Sequence, residues 1–122
     1  MILVDTSIWI DHFHRPDREL ASLLRYGLVL IHPFVLGELA LGSSPDRAAL
    51  MNDLAGLRGA RVASDTEVLR LIEDWALSGA GIGYMDAHLL ASVLLTSGSR
   101  LWTRDRVLRK VARQLSLDAE LR

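Results

Sequence analysis

The sequence contains no cysteine, a single lysine, few aromatic residues and no long apolar run. Without cysteine the chain has neither disulfide bonds nor thiolate metal ligands, which agrees with a reducing cytoplasm. The longest nearly apolar stretch, residues 27–42, contains His32, Pro33 and Glu38 and is too short to cross a bilayer. No basic segment precedes an apolar one at the N-terminus, so we expect no secretory signal. These absences favour a soluble, cytoplasmic protein.

The 122 residues suffice for one core, and half of them are apolar, so we predict a single domain over residues 1–122. The net charge of −1 is unevenly distributed along the chain. Residues 98–122 carry seven basic and three acidic residues, a net charge of +4, which leaves −5 for residues 1–97. This asymmetry indicates a polyanionic partner for the C-terminal part, although a solvated basic helix face gives the same pattern.

Short apolar runs alternate with longer segments of helical periodicity. The runs predict strands over residues 2–4, 28–31 and 101–103, with a further short strand over residues 61–63. Ser44 and Pro45 form an N-cap and first-position pair for one helix. The other predicted helices cover residues 7–14, 17–26, 34–42, 64–78 and 86–96, and a last helix has its apolar face between residues 107 and 115. The alternation indicates an α/β domain with a parallel sheet.

Asp5 follows the first apolar run and precedes two hydroxyl side chains, Thr6 and Ser7. In open parallel sheets, ligands bind beyond the carboxyl ends of the strands, so Asp5 stands where chemistry is expected. Asp5 alone fits an ordinary helix N-cap equally well, because aspartate favours that position.

Glu38 is the only charged residue of the helix predicted over residues 34–42. Its neighbours three and four residues away include Phe34, Val35 and Leu41, so we expect it to lie among apolar groups. An unpaired ionised carboxylate there would cost several kcal/mol. Glu38 is therefore expected to be protonated, paired with a base or bound to a cation, unless it is partly exposed.

Two further carboxylates are predicted at the same edge of the sheet. Asp86 begins the most apolar helix and Asp105 follows the strand at residues 101–103, although each alone also fits a helix N-cap or first-turn acid. With Asp5 and Glu38 they make four acids that converge on one crevice in a doubly wound sheet. Four carboxylates repel one another unless divalent cations offset their charge. Oxygen ligands suit Mg²⁺ or Mn²⁺, which typically act on phosphates.

The residues around these four acids are similar to the motifs of a known family. The chain resembles the PIN-domain ribonucleases, and its length and motif order resemble the VapC toxins of bacterial toxin–antitoxin pairs. The similarity covers essentially the whole chain and rests on Val4-Asp5-Thr6-Ser7, Gly37-Glu38-Leu39, Tyr84-Met85-Asp86-Ala87-His88-Leu89-Leu90-Ala91 and Thr103-Arg104-Asp105.

The resemblance implies a fold, an activity and partners. The fold is a single PIN-like α/β/α domain with a central, mostly parallel sheet of four to five strands. The activity is that of an endoribonuclease dependent on Mg²⁺, or on Mn²⁺, which cuts structured RNA such as tRNA or rRNA at single-stranded loops. The partners are a VapB-type antitoxin that blocks the acidic pocket and a second copy of the chain in a homodimer.

The resemblance also implies roles for individual residues. The four acids are expected to hold the metal, directly or through water, and so to be catalytic: Asp5, Glu38, Asp86 and Asp105. Thr6, Ser7 and Thr103 are expected to supply hydroxyls that support the site.

Basic residues follow Asp105 along the last predicted helix. They recur at intervals of three and four and so form one stripe, which consists of Arg106, Arg109, Lys110 and Arg113. Because the stripe begins beside the predicted site, we expect it, together with Arg104, to bind RNA phosphates. A solvated helix face opposite the apolar one explains the same stripe equally well.

Two other functions fit part of the pattern. A metal-dependent phosphohydrolase of small phosphates, such as a phosphoaspartyl phosphatase, also has an aspartate after its first strand. It needs a second acid two residues later, where Ser7 stands, and a lysine in a region that Lys110 does not occupy. A non-catalytic RNA- or protein-binding module with the same fold is the other alternative, and the presence of all four acids argues against it.

Overall fold

A computed structural model of the protein describes residues 1–43 and 45–122. β1 (Ile2–Val4) pairs with β2 (Val29–Ile31) on one side and with β4 (Arg100–Trp102) on the other, and β3 (Arg58–Gly59) pairs with the free edge of β2. The strand order is β3-β2-β1-β4, and every pair is parallel. The predicted parallel sheet is confirmed, and its carboxyl ends share one edge.

Seven helices in the described residues flank this sheet, within a few residues of the predicted positions. They are α1 (Thr6–His14), α2 (Arg18–Arg25), α3 (Pro33–Ala40), α4 (Arg47–Ala55), α5 (Asp65–Asp74), α6 (Tyr84–Leu95) and α7 (Arg106–Gln114). The N-cap predicted at Ser44 lies outside the described residues. None of the helices in the described ranges combines the length and the apolar character that a membrane span requires.

The position of the third strand corrects the sequence prediction. Residues 61–63 were expected to form it, but the residues that pair with Leu30 and Ile31 of β2 are Arg58 and Gly59. Both are exposed, so no apolar pattern marks the strand. Residues 61–63 instead lead towards α5, and the backbone N–H of Arg61 donates to Thr96 Oγ1 at 3.1 Å.

The hydrophobic core covers both faces of the central strand β1. Leu3 and Val4 of β1 are fully buried, and their neighbours Leu30 in β2 and Leu101 in β4 are buried as well. Every residue of α6 from 87 to 93 is also buried, so the prediction of a central helix there is confirmed. Burial of each such leucine contributes about 2 kcal/mol, and this packing fixes the ends of β1 and β4 relative to each other.

Candidate active site

Asp5 follows the central strand directly and is 7% exposed. Its Oδ1 accepts a hydrogen bond from the backbone N–H of Thr6 at 2.8 Å, so it caps α1. Its Oδ2 accepts a hydrogen bond from Thr103 Oγ1 at 2.7 Å. The N-cap role and a place at the carboxyl edge of the sheet therefore coexist, because the two oxygens of one carboxylate have different partners.

Thr103 is buried and joins the segments that follow β1 and β4. Besides donating to Asp5, its Oγ1 accepts a hydrogen bond from the backbone N–H of Asp105 at 3.1 Å. Asp105 in turn caps α7, since its Oδ1 accepts from the N–H groups of Val107 and Leu108, both at 3.0 Å. Asp105 Oδ2 has no hydrogen bond within the described residues. One hydroxyl thus connects two of the predicted acids.

Asp86 lies in the first turn of α6 and is half-buried. Its Oδ2 accepts a hydrogen bond from the backbone N–H of Gly83 at 3.1 Å. Burial raises the pKa of Asp86, the bond from Gly83 opposes this rise, and the charges of Asp5 and Asp105 raise the pKa further. The structure therefore brings Asp5, Asp86 and Asp105 close enough for their charges to interact.

The donor chemistry of these three acids fits a divalent cation that keeps part of its hydration shell. In residues 1–43 and 45–122, no three His, Asp or Glu side chains form a ready-made cluster for a metal ion. Mg²⁺ commonly binds through one or two carboxylates together with waters and substrate phosphates, so its binding does not require such a cage. Hard carboxylate oxygens that repel one another suit this cation and its analogue Mn²⁺.

Glu38 is not buried, so the expected cost of an ionised carboxylate among apolar groups does not arise, although Glu38 lines a groove together with the apolar side chains of Ile10, Phe13 and Leu50. It is exposed on α3, and so are Phe34 and Leu41, three or four residues away. The buried face of α3 consists of Val35 and Leu39 instead. An ionised Glu38 is therefore solvated and needs no cation to offset a burial cost. Its role as a metal ligand stays a prediction.

The predicted supporting hydroxyls differ in what they contact. Thr103 bonds Asp5 directly, as described above. Ser7 Oγ accepts the backbone N–H of Arg104 at 3.4 Å, so it contacts the segment between β4 and α7. Thr6 Oγ1 is buried and has no hydrogen-bond partner among the described residues.

Arg104, which was expected to bind RNA, is already paired within the protein. Its guanidinium donates to Asp11 at 2.8 Å and to Asp17 at 2.7 Å, and it lies 5.6 Å from the centre of the Trp102 ring. Asp17 is also the N-cap of α2. These contacts connect α1 and the start of α2 to the residues that follow β4, so the guanidinium of Arg104 stabilises the packing of these elements.

The four basic residues of α7 form two pairs. Arg109 and Arg113 face the buried Asp118, with their Nε atoms 3.9 Å and 3.4 Å from its Oδ2. Arg106 and Lys110 are exposed, and neither forms a salt bridge within the described part of the chain. All four line one shallow groove. Arg106 and Lys110 are therefore the members of the stripe best placed for an anionic partner.

A cluster of side chains at the N-terminal ends of α3, α5 and α6 was not predicted. Asp65 Oδ1 accepts a hydrogen bond from Tyr84 OH at 2.7 Å and lies 3.2 Å from His88 Nε2. The bond from Tyr84, followed by that from His88, lowers the pKa of Asp65. The spacing of Ser64 and Glu67 places Asp65 in the first turn of a helix, but nothing local indicates partners 19 and 23 residues away.

The comparisons with known proteins agree with this architecture. The sequence matches the family model of the PIN domain over residues 2–114, a range that includes all four predicted acids. It is 48% identical over 109 residues to Ribonuclease VapC32 of Mycobacterium tuberculosis, in the strains CDC 1551 / Oshkosh and ATCC 25618 / H37Rv. The alignment covers 89% of this chain and 88% of that relative. The chain belongs to the PIN domain family and is a VapC-type member of it.

Proposed function

We propose that this protein is a metal-dependent endoribonuclease that acts as the toxin of a toxin–antitoxin pair. The observation that carries the proposal is the placement of Asp5 and Asp105 at the carboxyl edge of the sheet, where the Thr103 hydroxyl bonds both residues and where their charges contribute to the raised pKa of Asp86. Membership of the PIN domain family and the similarity to a protein named as a ribonuclease support the same reaction class.

Hydrolysis of a phosphodiester requires a positioned water and stabilisation of the negative charge on the phosphoryl oxygens. The chemistry that Mg²⁺, or Mn²⁺, supplies when bound is activation of that water and neutralisation of that charge. Asp5, Asp86 and Asp105 would hold the cation. Thr103 orients the Asp5 carboxylate by donating a hydrogen bond to Asp5 Oδ2. The Asp105 carboxylate is oriented by the two backbone N–H groups of α7 that donate to Asp105 Oδ1. The protein thereby presents fixed oxygen ligands rather than mobile ones.

Glu38 belongs to the proposed site as a residue that acts through water. Its support is the Gly37-Glu38-Leu39 motif within the matched range, and its exposed side chain leaves it able to bond a hydrated cation. Because Glu38 is solvated, its replacement by glutamine should change the site without changing the free energy of unfolding.

RNA is the proposed substrate, and structured RNA such as tRNA or rRNA supplies the single-stranded loops that a nuclease of this kind can enter. Arg106 directly follows Asp105, and Lys110 lies one helical turn further along α7; their exposed side chains supply positive charge for the phosphates that flank the cleaved bond. Sequence-specific recognition of single-stranded RNA depends on contacts to its bases, which phosphate contacts alone do not provide.

The proposed partners are a VapB-type antitoxin and a second copy of the chain. The similarity to a VapC protein supports the first. A groove between α1, α3 and α4 offers surface for a protein partner, since Ile10, Phe13, Leu39 and Leu50 contribute apolar area there. Native mass spectrometry of the protein, alone and after coexpression with the product of a neighbouring reading frame, measures both assemblies.

The test is cleavage of a mixture of tRNA and rRNA in Mg²⁺, in EDTA and with the variants Asp5→Asn, Glu38→Gln and Asp74→Asn. Asp74 is an exposed acid at the end of α5 and serves as the matched control. We expect cleavage by the wild type and by Asp74→Asn in Mg²⁺ only, and none by a folded Asp5→Asn protein. Cleavage that persists in EDTA, or in Asp5→Asn, would contradict the proposed site.

A further inference from the structure

Two partly exposed aromatic rings lie at the starts of the helices that carry Glu38 and Asp86 and have no role in the candidate active site described above. Phe34 is 38% exposed at the start of α3, and Tyr84 is 46% exposed at the start of α6. Both rings pack against His88, with ring centres 4.6 Å from it for Phe34 and 4.7 Å for Tyr84. Isolated exposed aromatic residues are common on protein surfaces, but these two share one buried neighbour.

The cluster is held in place by hydrogen bonds and by burial. Tyr84 OH donates to Asp65 Oδ1 at 2.7 Å, which fixes the ring against α5. His88 is 3% exposed and reaches the same oxygen through Nε2, at 3.2 Å. Its Nδ1 and the Nε2 of the buried His32 have no hydrogen-bond partner within the described residues. The rings of Phe34 and Tyr84 are therefore held in position by His88 and Asp65 before any ligand binds.

The cluster lies on two helices that also carry predicted acids of the site. Tyr84 and Asp86 both lie in the first turn of α6, where residues two apart project from opposite sides of the helix, so Tyr84 and His88 share one face of α6 and Asp86 lies on the other. Phe34 lies one helical turn before Glu38 on α3, so these two side chains project from the same side of that helix. Each of the helices that supply an aromatic ring thus also supplies a predicted acid of the site.

We propose that Phe34 and Tyr84 form a stacking platform for one nucleobase of the RNA substrate while a neighbouring phosphate lies at the carboxylates. This inference rests on the proposed function and deepens it by naming the part of the substrate that the platform binds. Stacking on aromatic rings tolerates any base, because every base has a π-face. The platform therefore adds affinity for single-stranded RNA without a strict sequence preference.

The first test measures binding in EDTA, so that no cleavage is needed. The probes are an eight-nucleotide oligo(A) and an abasic ribose-phosphate strand of the same length, which keeps the phosphates and lacks the bases. We expect the wild type to bind oligo(A) roughly tenfold or more tightly than the abasic strand, because stacking of one base supplies about that factor. The double variant Phe34→Leu/Tyr84→Leu should bind both strands alike.

Two further variants act as controls. Tyr26 is 71% exposed at the end of α2, so Tyr26→Leu removes an exposed ring outside the platform and should keep the preference for oligo(A). Tyr84→Phe keeps the ring and loses only the bond to Asp65, and it should retain most of the preference. Independently of any variant, the fluorescence of 2-aminopurine within the strand should be quenched when the wild type binds it.

The outcomes separate this inference from the proposed function. A double variant that keeps the full preference for oligo(A), or a wild type that neither prefers it nor quenches 2-aminopurine, overturns the platform. If cleavage remains dependent on Mg²⁺ and Asp5 in that case, the nuclease proposal stands. Base-dependent binding without cleavage by the wild type would retain the platform and refute the nuclease.

Discussion

Thr103 Oγ1 donates a hydrogen bond to Asp5 Oδ2 at 2.7 Å, across 98 residues of sequence, and both side chains are buried. The same hydroxyl accepts the backbone N–H of Asp105 at 3.1 Å. A single side chain therefore sets the relative positions of two acids that the chain brings together from its two ends. The consequences for stability and activity can be measured.

Thr103→Val should lower both stability and activity. Valine keeps the shape of threonine but leaves Asp5 Oδ2 and the N–H of Asp105 without their bonds. Loss of a buried hydrogen bond to a carboxylate costs about 1.5–3 kcal/mol, which urea denaturation measures. Thr103→Ser restores the hydroxyl and should recover most of the cleavage rate. A valine variant as active and as stable as the wild type would show that this bond does not position Asp5.

Asp86→Asn should raise the free energy of unfolding at pH 7, measured in EDTA. The same variant should lose cleavage activity, measured in Mg²⁺. Burial raises the pKa of Asp86 above its ordinary 3.8, so the folded state opposes its ionisation. This destabilisation is absent below pH 3.8 and grows as the pH rises through the folded-state pKa. Asparagine keeps an oxygen for the Gly83 N–H and removes the charge. The difference in urea midpoint should therefore be positive at pH 7 and shrink in acid; a negative difference at pH 7 would contradict the account.

His32 should make the protein less stable as the pH falls from about 6.5 to about 4. Burial, with a smaller contribution from His88, lowers the pKa of His32 from its ordinary 6.5 to about 4. Its Nδ1 accepts the backbone N–H of Phe34 at 2.9 Å, so the folded state requires the neutral ring. The unfolded chain takes up the proton first, which removes up to about 3 kcal/mol by pH 4.

The matched variant for this prediction is His32→Asn, which keeps an N-cap acceptor for Phe34 and does not titrate. It should be less stable than the wild type at pH 7, because a buried ring is lost. Its unfolding free energy, measured in urea at pH 7, 5.5 and 4, should decline less steeply than that of the wild type. Parallel declines in the two proteins would refute the assignment to His32.

Arg104 and the exposed bases of α7 should behave differently on substitution. Arg104→Gln removes the bonds to Asp11 and Asp17 and should lower the unfolding free energy by about 1–3 kcal/mol. Arg106→Gln and Lys110→Gln should leave stability within about 0.5 kcal/mol of the wild type. Each should instead weaken RNA binding and reduce the salt dependence of the affinity by about one charge. If neither Arg106→Gln nor Lys110→Gln changes the affinity for RNA, these two side chains form a solvated helix face and do not bind RNA.

The predictable parts of the fold are those that local patterns encode. A continuous apolar run followed by a carboxylate identifies β1 and Asp5, because every side chain of the strand is apolar and the residues that follow it are polar. The strand Arg58–Gly59 escapes this rule, since it contributes two exposed residues and pairs through its backbone alone. The capping box of Ser64 and Glu67, in contrast, depends only on two residues three positions apart in the sequence, and its prediction is confirmed.

The candidate site was less predictable where it depends on contacts between distant residues. Glu38 has apolar neighbours on α3, but two of them, Phe34 and Leu41, are exposed themselves, so the apolar composition of the helix did not indicate that Glu38 is buried. Arg104 lies in a basic region, yet its partner Asp11 is 93 residues away and no spacing reveals the pair. Asp65 bonds Tyr84 and His88 for reasons that only the packing of α5 on α6 makes visible.

The most direct test of the central claim, that Asp5, Asp86 and Asp105 form one cation site, is a titration of Mn²⁺ followed by electron paramagnetic resonance. The wild type and Asp74→Asn should bind the ion with the same affinity. Asp5→Asn and Asp86→Asn, shown to be folded by circular dichroism, should bind it roughly tenfold or more weakly, because each loses a carboxylate ligand. Equal Mn²⁺ affinity in all four proteins would contradict the claim.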